Sequence, residues 1–209
     1  EFRERKIKIK NLNYLRTIDF IKFIKKKNIT KVLDFGGGAG YHYFITEKLF
    51  PNLISKWIII ENKTMVRLCN NLTNSKNLFF QNNLKTNHKV DIFFSSCAIN
   101  YLNNPVNIFK KISKINCKYL YFTRMPLTSQ KYIKYDQYAL LSDNGPLTSH
   151  VDKDKIIKFT NRIIPIKAFE KIFTNKKFKI IKSYIDEKSA FIYNNECIST
   201  YTYIIEKKN

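Results

Sequence analysis

Residues 31–40 of this chain read KVLDFGGGAG, and this stretch decides the fold. Its apolar half predicts a short buried strand, and its glycines predict a tight turn that opens a helix. Glycines there let the backbone turn sharply and approach a ligand closely. A dinucleotide-binding turn has the spacing G-x-G-x-x-G, whereas Gly36, Gly38 and Gly40 are spaced G-x-G-x-G. We therefore expect a ligand smaller than NAD at this turn.

Strand and helix patterns alternate on both sides of the glycine turn. Apolar runs predict strands at 31–35, 57–60, 77–80, 90–94, 119–122, 178–184 and 199–205, and helical spacing predicts helices at 12–27, 41–49, 65–72, 106–115 and 164–173. Such alternation is typical of βαβ units. The sequence predicts an α/β, Rossmann-like fold with a mostly parallel sheet of seven strands flanked by helices.

The chain shows no internal repeat and no linker rich in Pro, Gly or Ser, so we expect one domain over 1–209. Residues 1–29 would form a helical N-terminal extension, of which 1–11 are charged and loose. Residues 125–162 interrupt the strand–helix alternation, and a long irregular insertion is usually a lid or binding loop. Because it follows the fifth strand, it would lie at the ligand-binding edge of the sheet. The chain begins at Glu1 without Met, and we expect it to be a fragment.

Composition excludes several classes of protein. The 209 residues are 44% hydrophobic, which rules out a collagen-like or bulk-disordered chain. Lys and Arg number 38 against 16 acidic residues, a formal charge of +22. Nucleic acid is one partner that fits this charge. However, only six of the basic residues are Arg, and Lys-rich composition also follows from A/T-rich codons, which we favour as the explanation.

Four widely separated cysteines lack metal-ligand spacing, so we expect no metal site and no disulfide framework. With no signal peptide, reduced thiols predict a cytoplasmic protein. Apolar runs are far shorter than the ~20 residues that a membrane span needs, so we expect no transmembrane segment.

The turn resembles the first motif of the class I methyltransferases that use S-adenosylmethionine. In that family the loop wraps the amino-acid part of the cofactor, which implies that Asp34, Gly36, Gly38 and Gly40 contact it. Glu61 ends the second predicted strand and matches the family's second motif, where a carboxylate accepts both ribose hydroxyls. The resemblance implies an enzyme that converts S-adenosyl-L-methionine to S-adenosyl-L-homocysteine.

Three stretches carry a narrower resemblance, VLDFGGGAGYHYF at 32–44, WIIIEN at 57–62 and DIFFSSCAINYLNNP at 91–105. They resemble a family of methyltransferases found in surface-polysaccharide gene clusters. Arg124 and Pro126 also fit its pattern. This resemblance implies a role in polysaccharide biosynthesis, with a nucleotide-linked or phosphorylated sugar as acceptor.

Candidate acceptor residues follow the fourth and fifth strands. Ser95 and Ser96 lie in the turn predicted after the fourth strand, where the acceptor should approach, and we count them among the cofactor contacts. Tyr101 and Arg124 are the candidate substrate-binding residues, because a guanidinium can clamp a phosphate or carboxylate. No acidic residue occurs between 92 and 135, which favours an anionic acceptor.

Alternatives remain at each of these positions. Arg124 could instead bridge to a lid acid such as Asp136 or Asp143. His42 and His150 are the candidate general bases, because histidine titrates near neutral pH. The sequence also leaves open an RNA methyltransferase that uses the basic surface, and a non-catalytic module that binds the cofactor. It does not define the oligomeric state.

Overall fold

The protein is represented by a computed structural model that describes residues 12–140, 155–193 and 196–208. The described helices are α1 (Leu12–Lys26), α2 (Tyr41–Leu49), α3 (Lys63–Leu72), α4 (Pro105–Ile112) and α5 (Ile166–Phe173), with a 3-10 turn at Ile99–Tyr101. The described strands are β1 (Lys31–Phe35), β2 (Lys56–Ile60), β3 (Leu78–Gln81), β4 (Ile92–Ser96), β5 (Tyr119–Thr128), β6 (Ile133–Leu140), β7 (Ile156–Pro165), β8 (Phe178–Tyr193) and β9 (Glu196–Lys207). No helix among these described residues is long and apolar enough to cross a membrane.

The described chain forms two compact units, and β4 and β5 run through both. The first unit holds the described residues up to 94 together with 116–121, and the second holds 95–115 and the described residues from 122 onward. The prediction of one domain over 1–209 stays a prediction.

The first unit contains the strand order β3-β2-β1-β4-β5. Strand β1 pairs in parallel with β2, and β2 in parallel with β3. Strands buried on both faces read as continuous apolar runs, and the KWIII run of β2 is buried over its last four residues. Helix α1 buries Phe20, whose ring stacks on Phe94 at 4.0 Å between centroids. This aromatic pair is part of the buried core of the first unit.

The second unit extends from the later part of β5. The end of β5 pairs in parallel with β7. Strand β7 in turn pairs antiparallel with β6. Strand β9 pairs with both β5 and β8, and β8 with β9 is antiparallel. Phe109 of α4 packs edge-on against Phe169 of α5, with ring centroids 5.0 Å apart. These contacts hold the two helices together.

The α/β fold with a mixed, largely parallel sheet confirms the predicted fold class. Nine strands are described instead of seven, because β6 and β7 occupy the segment predicted to be irregular. Only two of their eight pairings involve a residue buried in β6 or β7, so they lack the apolar runs that mark the central strands. Strand β5 also ends at Thr128, whereas the sequence predicts its end at 122.

Candidate functional site

The glycine turn joins β1 to α2 in backbone conformations that favour glycine. Gly36, Gly38 and Gly40 have φ values of 74°, 57° and 97°. A Cβ at Gly38 would meet nothing within 4 Å, whereas one at Gly40 would touch Leu78 and Phe44 at 3.3 Å. The turn is thus open at Gly38, where a ligand could approach the backbone.

Gly37 is required for a different reason. A Cβ there would collide with the carboxylate of Asp34, whose Cγ would lie only 2.6 Å away. The turn is therefore folded directly over the Asp34 side chain. The G-x-G-x-G spacing assigns no role to this glycine.

Asp34 is a buried carboxyl group with only part of its hydrogen-bonding capacity met. Its side chain is 1% exposed, and Oδ2 accepts a bond from Trp57 Nε1 at 3.2 Å. Oδ1 is buried without a hydrogen-bond partner among the described residues. Burial raises the pKa of Asp34 to about 7, the Trp57 bond lowers it, and the charge of Glu61 raises it. An orphaned buried oxygen calls for an explanation, and a cationic ligand would supply one.

Glu61 connects the glycine turn to the start of α3. Its Oε1 accepts the Gly38 N–H at 3.2 Å, and its Oε2 accepts the Asn62 N–H at 2.9 Å. The Asn62 side chain in turn caps α3 by accepting the Met65 N–H at 3.0 Å. The carboxylate is thereby held directly after the end of β2.

His42 lies in the first turn of α2, packed within the first unit. Its Nδ1 lies 3.0 Å from Thr17 Oγ1, and its ring meets Phe94 edge-on at 4.9 Å. These contacts fix the ring against α1 and β4. His150, the other candidate base, lies outside the described residues.

Ser95 and Ser96 are the last residues of β4 and not part of the following turn. Ser95 is 3% exposed. Cys97 comes next with a left-handed φ of 53°, and its N–H donates to Thr123 O at 3.1 Å. A small cavity of about 10 Å³, room for one water, lies among Ser95, Cys97, Ala98, Ile99, Asn100, Phe122, Thr123 and Met125.

Tyr101 is the last residue of the 3-10 turn, and its neighbour Asn100 begins a chain of hydrogen-bonded amide side chains. Asn100 Nδ2 donates to Asn161 Oδ1 at 2.6 Å, and Asn161 Nδ2 donates to Gln137 Oε1 at 2.8 Å. Burial raises the pKa of Tyr101 to about 12, with smaller contributions that include a lowering by the charge of Arg124. Tyr101 is therefore a neutral hydrogen-bond donor and not a base at neutral pH.

Arg124 lies inside β5 with a left-handed φ of 53°. Its N–H donates to Asp186 Oδ2 at 2.8 Å. The alternative bridge to Asp136 is not formed, because Asp136 pairs with Lys158 at 2.8 Å. Asp143 lies outside the described residues. The part of the chain that the structure describes gives Arg124 no ion pair with a carboxylate.

The predicted residues thus fall into one group in each unit. Asp34, the glycine turn, Glu61 and His42 belong to the first unit, and Ser95, Ser96, Tyr101 and Arg124 belong to the second. Sequence reasoning missed three residues that hold these groups, Gly37, Trp57 and Asp186. Gly37 could have been found from its place between two motif glycines. Trp57 and Asp186 act through tertiary contacts that leave no local signal.

The residues of the first unit fit S-adenosylmethionine on the observations above. The cofactor carries a sulfonium and an ammonium, and two carboxylates, Asp34 and Glu61, flank an open glycine turn. The orphaned Oδ1 of Asp34 would gain a partner from a cationic group. Either Glu61 oxygen can accept a further hydrogen bond from a ribose hydroxyl.

Comparison with solved structures identifies the fold. A S-adenosylmethionine-dependent methyltransferase from Clostridium acetobutylicum is 12% identical, with a TM-score of 0.61 over 92% of this chain and 91% of that one. A magnesium protoporphyrin IX methyltransferase from Synechocystis with bound S-adenosylhomocysteine is 10% identical, with a TM-score of 0.59 over 94% and 84%. A S-adenosylmethionine-dependent methyltransferase from Mesorhizobium loti is 7% identical, with a TM-score of 0.52 over 90% and 96%.

No protein-family model matches the chain, and no curated protein matches its sequence. At identities this low, the structural similarity establishes the fold alone. The chain has the class I fold that these S-adenosylmethionine-dependent methyltransferases share.

Proposed function

We propose that this protein is a S-adenosylmethionine-dependent methyltransferase that binds its cofactor at the glycine turn of the first unit. The observation that carries the proposal is the pair of carboxylates around that turn. Asp34 offers a buried, unsatisfied oxygen, and Glu61 bonds the Gly38 amide and the start of α3. The class I fold of the chain supports the same assignment. When bound, the cofactor supplies an activated methyl group on a positively charged sulfur.

The acceptor that we propose is a small anionic molecule methylated on oxygen, such as a nucleotide-linked or phosphorylated sugar. Arg124 supports an anionic acceptor, because it forms no carboxylate ion pair within the described ranges. A guanidinium binds phosphate through two parallel hydrogen bonds. Tyr101, kept neutral by its raised pKa, can donate a hydrogen bond beside it. A role in surface-polysaccharide biosynthesis, in the cytoplasm, rests on the motifs at 91–105 and on reduced cysteines.

Catalysis by this chain would depend mainly on positioning. An in-line displacement needs the acceptor oxygen held close and aligned, which can supply about 7–11 kcal/mol. A general base adds roughly 10²–10⁴-fold for a hydroxyl acceptor, and we propose His42 or His150 for that step. The contact of His42 Nδ1 with Thr17 Oγ1 at 3.0 Å would hold the ring in place for that step.

Binding of the cofactor to Glu61→Ala tests the proposal. One charge-assisted hydrogen bond contributes about 1.5–3 kcal/mol, so S-adenosylhomocysteine should bind at least about tenfold more weakly. Isothermal titration calorimetry measures the affinity, and circular dichroism checks the fold. Glu170→Gln is the control, because Glu170 lies on α5, where it accepts a bond from Tyr203 of β9, and its replacement should not affect the cofactor. Unchanged affinity in Glu61→Ala would remove the cofactor assignment.

A further inference from the structure

Asp186 of β8 binds the backbone of β5 at its one left-handed residue. Its Oδ2 accepts the Arg124 N–H at 2.8 Å and the Thr123 hydroxyl at 3.4 Å, and its Oδ1 accepts the Thr202 hydroxyl at 2.6 Å. The Thr202 hydroxyl also lies 2.9 Å from Thr123 Oγ1. Thr123 and Thr202 are buried, 2% and 0% exposed. We call Asp186, Thr123 and Thr202 the bulge cluster.

The sheet geometry explains how Asp186 reaches this position. Strand β9 pairs with both β5 and β8. The register of β8 against β9 shifts between Ile185 and Glu187, so Asp186 is the extra residue of a β-bulge. A bulge redirects a side chain out of the regular alternation. The Asp186 carboxylate is thereby directed past β9 to the backbone of β5.

The conformation of Arg124 has a direct consequence for its side chain. Residues with a side chain rarely adopt positive φ, and they keep it only when their surroundings enforce it. A left-handed residue in a strand also points its side chain in a different direction from a regular strand residue. The Arg124 N–H bond to Asp186 is a contact that enforces this direction.

We propose that Asp186 is a positioning residue that fixes the backbone of Arg124 so that its guanidinium meets the anionic group of the acceptor. The inference rests on the proposed role of Arg124 as the acceptor clamp. Asp186 itself acts through the Arg124 amide and need not touch the acceptor.

The direction in which anion affinity changes when Asp186 is removed distinguishes a positioning role from a purely electrostatic one. Asp186 is a negative charge beside the proposed anion site, so its removal should strengthen anion binding by Coulomb's law alone. Loss of a positioning contact should instead weaken anion binding, because Arg124 would relax to another backbone conformation. The two explanations therefore predict opposite changes in affinity.

Calorimetric titration of the full chain with inorganic pyrophosphate, in the presence of S-adenosylhomocysteine, tests the inference. Pyrophosphate stands for the diphosphate of a nucleotide sugar. We expect Arg124→Ala to weaken its binding at least about tenfold, and Asp186→Ala to weaken it by a similar factor. The double variant should lose no more pyrophosphate affinity than Arg124→Ala alone, because both changes act through the Arg124 guanidinium. The affinity for S-adenosylhomocysteine should be unchanged throughout.

Two further variants act as controls. Asp136→Ala removes one negative charge from β6, where Asp136 pairs with Lys158, and pyrophosphate affinity should not fall. Asp186→Asn keeps an oxygen that can accept the Arg124 N–H, and it should retain most of the affinity. If Asp186→Ala does not fold, Thr202→Val removes the 2.6 Å bond to Asp186 and should weaken pyrophosphate binding in the same direction.

The outcomes distinguish the inference from the function on which it depends. Weaker binding in Asp186→Ala, with recovery in Asp186→Asn, supports the positioning role. Unchanged or tighter binding in Asp186→Ala, while Arg124→Ala loses affinity, overturns it. If the wild type does not bind pyrophosphate, or Arg124→Ala binds it normally, the acceptor clamp itself is wrong and the inference fails with it.

Discussion

Asp34 should make both stability and cofactor affinity depend on pH. Its folded-state pKa of about 7 lies above the ordinary aspartate pKa of 3.8, so between these pH values the folded state binds more protons than the unfolded one. The free energy of unfolding should therefore fall as pH rises through that window, by at most about 1.4 kcal/mol per pH unit. Above it, the contribution of Asp34 should be constant.

Asp34→Asn is the variant that isolates this effect. Its unfolding free energy, measured by urea denaturation between about pH 5 and pH 8, should lack the decline that the wild type shows. The wild type should bind S-adenosylmethionine more tightly as pH rises through about 7, because the ionised carboxylate attracts a cation. If wild type and Asp34→Asn show parallel pH profiles, the carboxyl group is not titrating in this window.

Gly37 and Gly38 should respond differently to an added side chain. Gly37→Ala forces a Cβ against the Asp34 carboxylate, so we expect a lower unfolding temperature in thermal denaturation. Gly38→Val meets open space and strains only the backbone at φ 57°, at a cost of about 1–2 kcal/mol. It should keep its circular dichroism spectrum but lose cofactor binding, since it fills the proposed ligand side of the turn. A Gly38→Val protein with wild-type affinity would show that the cofactor does not approach there.

At the scale of elements, the chain of amide side chains joins the 3-10 turn to strands β6 and β7. Asn161→Ala would leave Asn100 and Gln137 without their partner, and Asn100 is only 6% exposed. A buried polar group that loses its partner costs about 1–3 kcal/mol, so the midpoint of urea denaturation should fall accordingly. Gln130→Ala, at an exposed position between β5 and β6, is the control and should leave the midpoint nearly unchanged.

The central elements were predictable because their signal is local. Runs such as KWIII and LFF mark buried strands, and the predicted bounds of β1 and α2 agree with the structure. Strand β6 carries charged and tyrosine side chains and is mostly exposed, and polar residues interrupt the isoleucines of β7. Neither strand therefore shows a continuous apolar run. The left-handed Arg124 and the bulge at Asp186 depend on the register of strands far apart in sequence, which no local pattern contains.

At the scale of the whole molecule, the charge of +22 predicts binding to polyanions that salt removes. Gel shifts with RNA should show weak binding at about 50 mM salt that is lost near 200 mM, because counterion release weakens non-specific contacts steeply over that range. The same experiment tests the RNA methyltransferase alternative. Tight RNA binding that persists at physiological salt would favour that alternative over a small acceptor.

The glycine turn also bears on the history of the gene. Glycine codons begin with GG, and mutation toward A and T steadily converts them to codons for other residues. The chain retains five glycines, and four of them lie within 36–40. Three of these have positive φ, and the fourth has its Cβ position occupied by Asp34. In a gene that drifts toward A and T, most of the remaining glycine codons would therefore lie in the segment that encodes this turn.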